Sequence, residues 1–272
     1  MTILFDIGAS KMRVATYAGT ALKKVSIMET PQNFAEGVAL LARRAQEIAG
    51  GKKITLLCGG IASSLDRKKE TLFNAPNLPY WRGENIVRAL RKATRAKNII
   101  LENDTALVGL GEAVRGAGKK KSIVVYVTIS TGVNGVRIVD GAIDRSVAGF
   151  EIGHQIIGGD AEKTLEYYAG AASLAHRHGV VRAQDIKDPE VWRDAERKVA
   201  IGINNTILHW SPDIVVLGGG SVVNGHIAVE RVVQHLKDLH TAFPTLPLIK
   251  KSTLGDLGGL YGALARATQK QK

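Results

Sequence analysis

The sequence predicts an α/β protein with two domains, and three observations carry this prediction. Apolar strands alternate with helices along both halves of the 272-residue chain, which is the pattern of sheets covered by helices. Both halves open with a similar β-hairpin. The composition, 45% hydrophobic with 30 glycines and 5% aromatic residues, suits aliphatic strands and tight turns. We place a smaller N-terminal domain at residues 1–117 plus 257–272 and a larger C-terminal domain at residues 118–256.

The first half opens with "ILFDIGASKMRVATYAG", residues 3–19. Two apolar strands around a small-residue turn predict a hairpin. Helices and strands then follow in turn, as expected for an α/β domain. The predicted helices lie at residues 34–50, 83–97 and 105–116, and the predicted strands at residues 53–60 and 98–104.

The second half opens in the same way with "VVYVTISTGVNGVRIVDG", residues 124–141. Helices are predicted near residues 161–178 and 189–210 and from about Ile227 to Leu239, with an apolar strand in "DIVVLGGG", residues 213–220. A small-residue loop and a last helix in "STLGDLGGLYGALARAT", residues 252–268, close the pattern. The shared opening hairpin indicates that the two domains have the same arrangement of strands and helices.

Charge and cysteine content limit the possible functions. The net charge is +12, but the basic residues are scattered over turns and helix faces and do not alternate with aromatic residues, so we interpret them as solvated surface. Cys58 is the only cysteine and is expected to be a small buried residue, which fits a reducing compartment. No apolar stretch reaches the length of a membrane span, and no charged leader precedes the first strand. We therefore expect a cytoplasmic protein.

The junction "ILENDTALVGLGEA", residues 100–113, places Asn103 between Glu102 and Asp104, where a strand meets a helix. One interpretation is that Asp104 caps the helix that starts at Thr105. The other is that a carboxylate at the end of a strand in an open sheet faces a ligand. Local sequence alone leaves both open.

Three short segments have the small residues that allow a close approach of phosphate to the backbone. "DIGASK", residues 6–11, adds the carboxylate of Asp6, which suits the water shell of Mg²⁺. "TISTGVNG", residues 128–135, is a second such turn, and "LGGGS", residues 217–221, follows a strand. Each segment alone is equally compatible with an ordinary turn.

Glu151 and His154 in "EIGH" would share one face if this segment is helical. A carboxylate and an imidazole suit sugar hydroxyls, which both donate and accept hydrogen bonds. From spacing alone, a capping glutamate with a structural histidine is as good an interpretation.

In order along nearly the whole chain, these motifs resemble the ROK family (repressors, open reading frames, kinases). "DIGASK" is similar to the D-x-G-G-T-K phosphate loop of the family, and "LENDTALVGLGE" to its E-N-D-x-N-x-x-x-x-G-E segment. "GFEIGHQII" resembles the E-x-G-H motif, "TLEYYAGAASLAHRHG" the C-L-E-x-x-x-S-G segment, and "PDIVVLGGGSV" the adenosine-side loop. The resemblance implies two actin-like (ribonuclease H-like) domains with a cleft between them.

The resemblance also implies a role for each candidate residue. Asp104 would be the general base, and Asp6 would bind Mg²⁺ through a water molecule. Sugar hydroxyls would be bound by Asn103, Glu151, His154, Glu166 and Asn77. Phosphates and nucleotide would be bound by Gly8, Ser10, Lys11, Thr131, Gly132, Gly218, Gly219 and Gly220. Trp81, beside the Asn77 loop, is expected to be a core residue. The implied cofactors are ATP and Mg²⁺, and the implied assembly is a homodimer.

The sequence departs from the family pattern in three ways. The family's zinc-binding cysteines are missing from "IIGGDAEKTLE", residues 156–166, so we expect no zinc site. Ala9 and Ser10 replace Gly-Thr, and Ser130 and Asn134 replace usual glycines; we expect Asn134 to tolerate a positive φ. No helix-turn-helix precedes the first phosphate strand, so we expect no DNA-binding module.

We therefore expect an ATP-dependent sugar kinase that phosphorylates a hexose hydroxyl. One alternative is a kinase that uses inorganic polyphosphate, guided by Lys11, Arg13 and Arg137. The other is a catalytically weak sugar-binding regulatory protein, because the phosphate loops are altered.

Overall fold

The computed structural model describes residues 1–159 and 162–269, and the contacts within them separate into two compact units. Unit 1 contains Met1–Val114, Arg145–Gly149 and the segment that begins at Asp256; unit 2 contains Arg115–Asp144 and Phe150–Gly255. The first break therefore lies three residues before the predicted boundary at residue 117, and a short excursion of the chain at residues 145–149 belongs to unit 1.

Unit 1 is built on a five-stranded mixed sheet. Its strands are β1 (Thr2–Ile7), β2 (Lys11–Ala18), β3 (Ala21–Glu29), β4 (Leu56–Ile61) and β7 (Asn98–Asn103). They lie in the order β3-β2-β1-β4-β7, with β1, β2 and β3 antiparallel and β1, β4 and β7 parallel. The short strands β5 (Ser64–Leu65) and β6 (Leu72–Asn74) form a separate two-stranded sheet. The predicted hairpin is thus confirmed and extended by β3, an edge strand that the sequence analysis missed.

In the part of the chain that the structure describes, unit 1 contains the helices α1 (Phe34–Ala49), α2 (Ile86–Thr94), α3 (Asp104–Arg115) and α9 (Gly258–Thr268). Asn33 and Asn85 cap α1 and α2 through side-chain oxygens that accept from Glu36 N and Arg88 N, as expected of asparagine before a helix. Trp81 is fully buried in the core of this unit, and its indole Nε1 donates to the carbonyls of Pro31 and Gln32. Its predicted core position is confirmed.

Unit 2 repeats this plan. Its strands are β8 (Ile123–Ile129), β9 (Val133–Val139), β10 (Ala142–Ile143), β11 (Ile214–Gly218) and β12 (Leu248–Lys251). Their order is β10-β9-β8-β11-β12, again three antiparallel strands followed by two parallel ones. The predicted second hairpin is confirmed, and the two sheets share the same sequence of connections.

The helices of unit 2 are α4 (Leu165–Ala169), α5 (Ala171–Arg177), α6 (Pro189–Trp210), α7 (Gly220–Val223) and α8 (Val229–Leu239). The prediction of one helix near residues 161–178 is wrong in part, because the helical conformation is interrupted at Gly170, where ψ is 129°. Residues 160 and 161, at the predicted start, lie outside the described residues. The prediction for residues 189–210 is confirmed, since Asp188 caps α6 and Pro189 occupies its first turn.

Two further expectations concern burial. Cys58 is fully buried on β4, with Sγ 3.5 Å from the carbonyl of Ala263, and burial raises the pKa of this thiol to about 12. It is the small buried residue that the sequence predicted. Among the helices that the structure describes, none has the length and apolar character needed to cross a bilayer.

Candidate active site

The charged part of the candidate site lies in the β1–β2 hairpin of unit 1. Asp6 lies opposite Arg13 in the ladder, and Arg13 Nη1 donates to Asp6 Oδ2 over 3.3 Å. Arg13 Nη2 also lies 4.0 Å from Oδ1 of Asp256. The proposed magnesium residue is therefore paired with a cation of its own hairpin. This pair was not predicted from the sequence, although the register of a short hairpin turn places the two residues opposite each other.

Asp6 has an unusual environment for a carboxylate. Burial raises the pKa of Asp6 to about 7, the negative charge of Asp104 adds to the rise, and Arg13 opposes it. A Cβ at Gly259, in the first turn of α9, would lie 2.6 Å from the Asp6 carboxyl carbon. Glycine at position 259 is what leaves room for this carboxylate beside the helix. The nearby carboxylate of Asp104 and the raised pKa of Asp6 favour the binding of a cation beside Asp6.

The turn between β1 and β2 is braced from outside. Gly8 N donates to Lys11 O over 2.9 Å, while Thr30 donates through Oγ1 to Gly8 O and through N to Ser10 O. Gly8, Ala9 and Ser10 all have negative φ, so alanine in place of the family's glycine causes no backbone strain here. Ser10 and Lys11 are exposed and are available to a ligand.

The junction between β7 and α3 shows which residue caps helix α3. Helix α3 begins at Asp104, and Asn103 caps it, because its Oδ1 accepts from Ala106 N over 3.1 Å. Asn103 Nδ2 also donates to Ser63 O, over 3.2 Å. Asp104 Oδ1 accepts a short local bond from Thr105 N, at 2.7 Å. The prediction that Asp104 caps a helix beginning at Thr105 is therefore wrong, and the standard capping bond belongs to Asn103.

Glu102 anchors the end of β7 from the buried side. Its carboxylate is almost fully buried and is bound by Arg266 Nε of α9, at 3.1 Å, and by Lys69 Nζ. A buried carboxylate with two cationic partners ties the strand that precedes Asp104 to two distant parts of unit 1. No sequence pattern indicated these partners, which are 33 and 164 residues away.

Asn77 also lies in unit 1, in an exposed turn after β6. In this unit the structure brings Asp6 and Asp104 within electrostatic reach of each other. Within the described residues, Asn77 is not hydrogen-bonded to either carboxylate.

In unit 2, Glu151 and His154 occupy one turn of 3-10 helix. His154 N donates to Glu151 O over 3.1 Å, and residues three apart lie above one another in such a helix. Both side chains are exposed. The turn packs tightly on β9, because a Cβ at Gly153 would lie 1.9 Å from Val133 O. The E-x-G-H segment is thus held against the second phosphate loop.

Glu166 connects α4 to the same loop. Its Oε2 accepts from Val133 N over 2.8 Å, and a Cβ at Gly132 would lie 2.4 Å from this oxygen. Gly132 is therefore required for the bond between Glu166 and the loop. Asn134 lies in the β8–β9 ladder opposite Thr128 with negative φ. The tolerance for a positive φ that we expected of Asn134 is therefore not needed at this position.

The three consecutive glycines that begin with the last residue of β11, Gly218, have different roles. A Cβ at Gly218 would lie 2.5 Å from the Tyr126 hydroxyl, and Gly219, at φ 86°, approaches Ile129 O closely. These two glycines allow close packing within unit 2. Gly220 has open space instead, with only Ser130 Oγ at 3.7 Å from a Cβ built there.

Gly220 opens onto a cavity of about 360 Å³ in unit 2, a volume within the usual range of small-molecule sites. The cavity is lined by Ser130, Thr131, Ala171, Ala172, Ala175, Val181, Arg182, Ala183, Gln184, Trp192, Gly220, Ser221, Asn224 and His226. Trp192 and His226 form one wall as a stacked pair, with ring centroids 4.6 Å apart and planes inclined by 20°. Thr131 and Gly220 were predicted here; the aromatic wall was not.

The described residues contain no group of three or more His, Cys, Asp or Glu side chains placed to hold a metal. Mg²⁺ does not require such a cage, because it is commonly held by one or two carboxylates together with waters and substrate phosphates. The pair of Asp6 and Asp104 fits that requirement.

Comparison with known proteins gives consistent results. A family model described as the ROK family matches residues 2–270. The chain is 30% identical over 157 residues to a glucokinase from Thermotoga maritima, which is 56% of this chain and about half, 49%, of that protein. It is 29% identical to a glucokinase from Streptomyces coelicolor, over 97% of this chain and 96% of that one. Among solved structures, it resembles a ROK hexokinase from Thermus thermophilus, with a TM-score of 0.83, 26% identity and 97% coverage of both chains.

Proposed function

The chain belongs to the ROK family, and we propose that it is a sugar kinase that transfers a phosphoryl group from ATP to a hexose hydroxyl. The observation that carries the proposal is the β7–α3 junction, where Asn103 caps the helix and Asp104 follows it at the strand end. Phosphoryl transfer needs positioning, charge neutralisation and a proton acceptor for the hydroxyl. Asp104 would be that acceptor, and capping does not compete with this role.

The sugar would be held by Asn103, Glu151, His154, Glu166 and Asn77. Glu151, His154 and Asn77 are exposed in the described structure. Asn103 and Glu166 are already oriented by bonds to Ser63 O and Val133 N. Each keeps capacity for a further bond, since an amide nitrogen has two donors and a carboxylate has several acceptor positions.

The phosphates would lie against Gly8, Ser10 and Lys11 of the first turn and Thr131 and Gly132 of the second. Asp6 would hold Mg²⁺ through water. When bound with the nucleotide, Mg²⁺ neutralises charge on the phosphate oxygens. Arg13 would keep the Asp6 carboxylate oriented, since it donates to Oδ2.

The choice of ATP as donor rests on the cavity of unit 2. Its flat wall of Trp192 and His226 suits a planar base, and the Gly218–Gly220 segment would border the adenosine. The polyphosphate alternative needs several free cations. However, Arg13 is paired with Asp6, and Arg137 binds Asp144 and the carbonyl of Trp210. Of the three proposed guiding cations, only Lys11 has no such partner in the part of the chain that the structure describes.

The direct test is a coupled assay with glucose, mannose, fructose and N-acetylated hexoses, each with Mg²⁺ and either ATP or inorganic polyphosphate. We expect turnover of at least one hexose with ATP. Turnover with polyphosphate alone would reverse the assignment of donor. Sugar binding by calorimetry without turnover from either donor would favour the regulatory alternative.

A variant of the cavity wall sharpens the test of the donor. We expect Trp192→Leu to raise the KM for ATP about fivefold, because a stacked aromatic contact contributes roughly 1 kcal/mol. Sugar affinity should not change. Trp210→Leu is the matched control, because Trp210 lies in the same unit, packs on Phe150 and does not line the cavity. If the KM for ATP of the Trp192 variant equals that of the natural sequence, the base of ATP does not bind in this cavity.

The homodimer that the resemblance implies and the cytoplasmic location expected from the cysteine content and hydropathy of the sequence remain predictions. Size-exclusion chromatography with light scattering would test the first.

A further inference from the structure

Helix α2 of unit 1 has an unusual solvent-facing surface. Arg88, Arg91 and Lys92 lie at positions i, i+3 and i+4 of the helix, Arg95 follows as its left-handed C-cap (φ 56°), and all four side chains are exposed. We call these four residues the α2 basic row. None of them forms an ion pair or a side-chain hydrogen bond within the described chain. At 1.5 Å per residue, the row is about 10 Å long.

Several exposed arginines elsewhere in the described chain are paired with a carboxylate. On α6, Arg193 pairs with Glu190 and Arg197 approaches Asp194, in each case three residues earlier. Just before α6, Arg182 pairs with Asp185. The α2 segment contains no acidic residue at all. Arg43, Arg67 and Arg82 are also exposed without an ion pair in the described residues, so α2 differs in having three such cations at helical spacing, Arg88, Arg91 and Lys92.

The positive charges of the row also destabilise helix α2. Within the helix the row creates two like-charge pairs, Arg88 with Arg91 and Arg88 with Lys92, and each such pair is destabilising. The helix dipole favours Arg91 and Lys92 in the last turn, but it disfavours Arg88 in the first. A glutamate at that third helical position would reach back to the cap, as in a capping box. Helix stability therefore does not account for Arg88.

We propose that the α2 basic row binds the phosphate backbone of duplex nucleic acid, without sequence preference and separately from the sugar kinase reaction. Guanidinium groups match phosphate oxygens in a bidentate manner, and three of the four residues are arginines. A duplex presents a phosphate about every 3.4 Å of its helix axis on each strand, so a row of about 10 Å that lies parallel to this axis spans about three phosphates per strand. The net charge of +12 favours the approach of such a polyanion.

Two features favour a duplex over other polyanionic surfaces. The α2 segment contains no aromatic residue, so it has no platform on which the bases of a single strand could stack. The apolar face of α2, with Ile86, Val87 and Leu90, is buried in the core of unit 1. It cannot insert into a lipid surface as an interfacial amphipathic helix does.

The test measures binding of a fluorescent duplex DNA of about 20 base pairs as salt rises from about 50 to about 200 mM. The variant replaces the row by Arg88→Gln, Arg91→Gln, Lys92→Gln and Arg95→Gln. We expect its affinity at low salt to fall at least tenfold. The slope of log K against log salt should decrease in magnitude by about 3, because each neutralised phosphate contributes about 0.9 to that slope. The Tm of the variant should be equal or higher, because like-charge repulsion is relieved.

The matched control removes the same number of positive charges elsewhere, through Arg193→Gln, Arg197→Gln, Lys119→Gln and Lys121→Gln. It should retain most of the affinity of the natural sequence. An equal loss in both variants would show that only net charge matters, and would overturn the assignment to α2. So would no binding of the natural sequence at low salt, or tighter binding to single-stranded DNA, to inorganic polyphosphate or to anionic lipid vesicles than to the duplex.

Discussion

The β1–β2 hairpin of unit 1 can be compared strand for strand with the β8–β9 hairpin of unit 2. Each is antiparallel, each has a further antiparallel neighbour on one side, and each has two parallel strands on the other. In the first hairpin a buried carboxylate, Asp6, is paired with Arg13. In the second, the turn of Ser130, Thr131 and Gly132 is uncharged, and Glu166 reaches it from α4 to accept from Val133 N.

This difference shows how one backbone plan can serve two chemical tasks. The sheet order places both turns at the end of a strand that has parallel neighbours, where ligands of α/β sheets bind. The side chains then decide what each turn can hold. Unit 1 gathers the charges of Asp6 and Asp104, whereas unit 2 forms the cavity with an aromatic wall. Four variants or treatments test this contrast.

The largest effect is expected where unit 1 carries out the proposed chemistry. Asp104→Asn should lower kcat by a factor on the order of 10²–10⁴, which is the usual contribution of a general base. Sugar affinity and Tm should stay close to those of the natural sequence, because Asn103 provides the cap. Asp256→Asn is the control, since Asp256 lies near Arg13 but is largely exposed. Near-normal turnover of the Asp104 variant would exclude the residue from the mechanism.

The second effect concerns the pH dependence of stability, measured without magnesium. The pKa of Asp6 is about 7 in the folded protein and 3.8 in the unfolded reference, so the folded state binds the additional proton. The contribution of Asp6 to the free energy of unfolding should therefore be greatest below about pH 4 and fall as pH rises towards 7, by on the order of 1 kcal/mol per pH unit.

Denaturant titrations of the natural sequence and of Asp6→Asn across this range would isolate the contribution of Asp6. The difference between their unfolding free energies should change with pH. A constant difference would contradict the buried, protonatable state of this carboxyl group. The hairpin of unit 2 has no buried carboxylate in its two strands, so an equivalent variant there, Thr128→Val, should give a constant difference.

The third prediction concerns the uncharged turn of unit 2, which contains Gly132. Gly132→Ala should destabilise the protein by about 1–3 kcal/mol, because the new methyl group must displace Glu166 Oε2 from Val133 N. It should also raise the KM for sugar if Glu166 binds a hydroxyl. Gly220→Ala is the control, since its Cβ would meet only Ser130 Oγ, at 3.7 Å. Equal stability of the two variants, by denaturant titration, would contradict the tight packing at Gly132.

The smallest effect, no change at all, is expected from removal of zinc. Cys58 is the only cysteine of the chain, and a structural zinc site normally requires several cysteine or histidine ligands. Elemental analysis should find no stoichiometric zinc, and a chelator should leave Tm unchanged. Zinc bound at His154 would contradict this prediction. Asp160 and Ala161, in the segment where family members have cysteines, lie outside the described residues.

Local patterns were sufficient for much of the fold. Both hairpins, the strand that ends at Asn103 and the helix Pro189–Trp210 follow from apolar periodicity together with turn and capping residues. Such signals act over a few residues, so a sequence can display them without reference to the rest of the chain. The candidate residues Asp6 and Asp104 were recognisable for the same reason, because each lies in a short motif at a predicted strand end.

Only the tertiary structure decided what those residues contact. The choice of Asn103 as the cap depended on a one-residue difference in where α3 begins. The stack of Trp192 on His226 and the contact of Arg266 with Glu102 join residues 34 and 164 positions apart. The helix break at Gly170 lies where a Cβ would meet Glu166 O at 2.8 Å. These features arise from packing between distant segments, whose energy depends on atoms that no local pattern specifies.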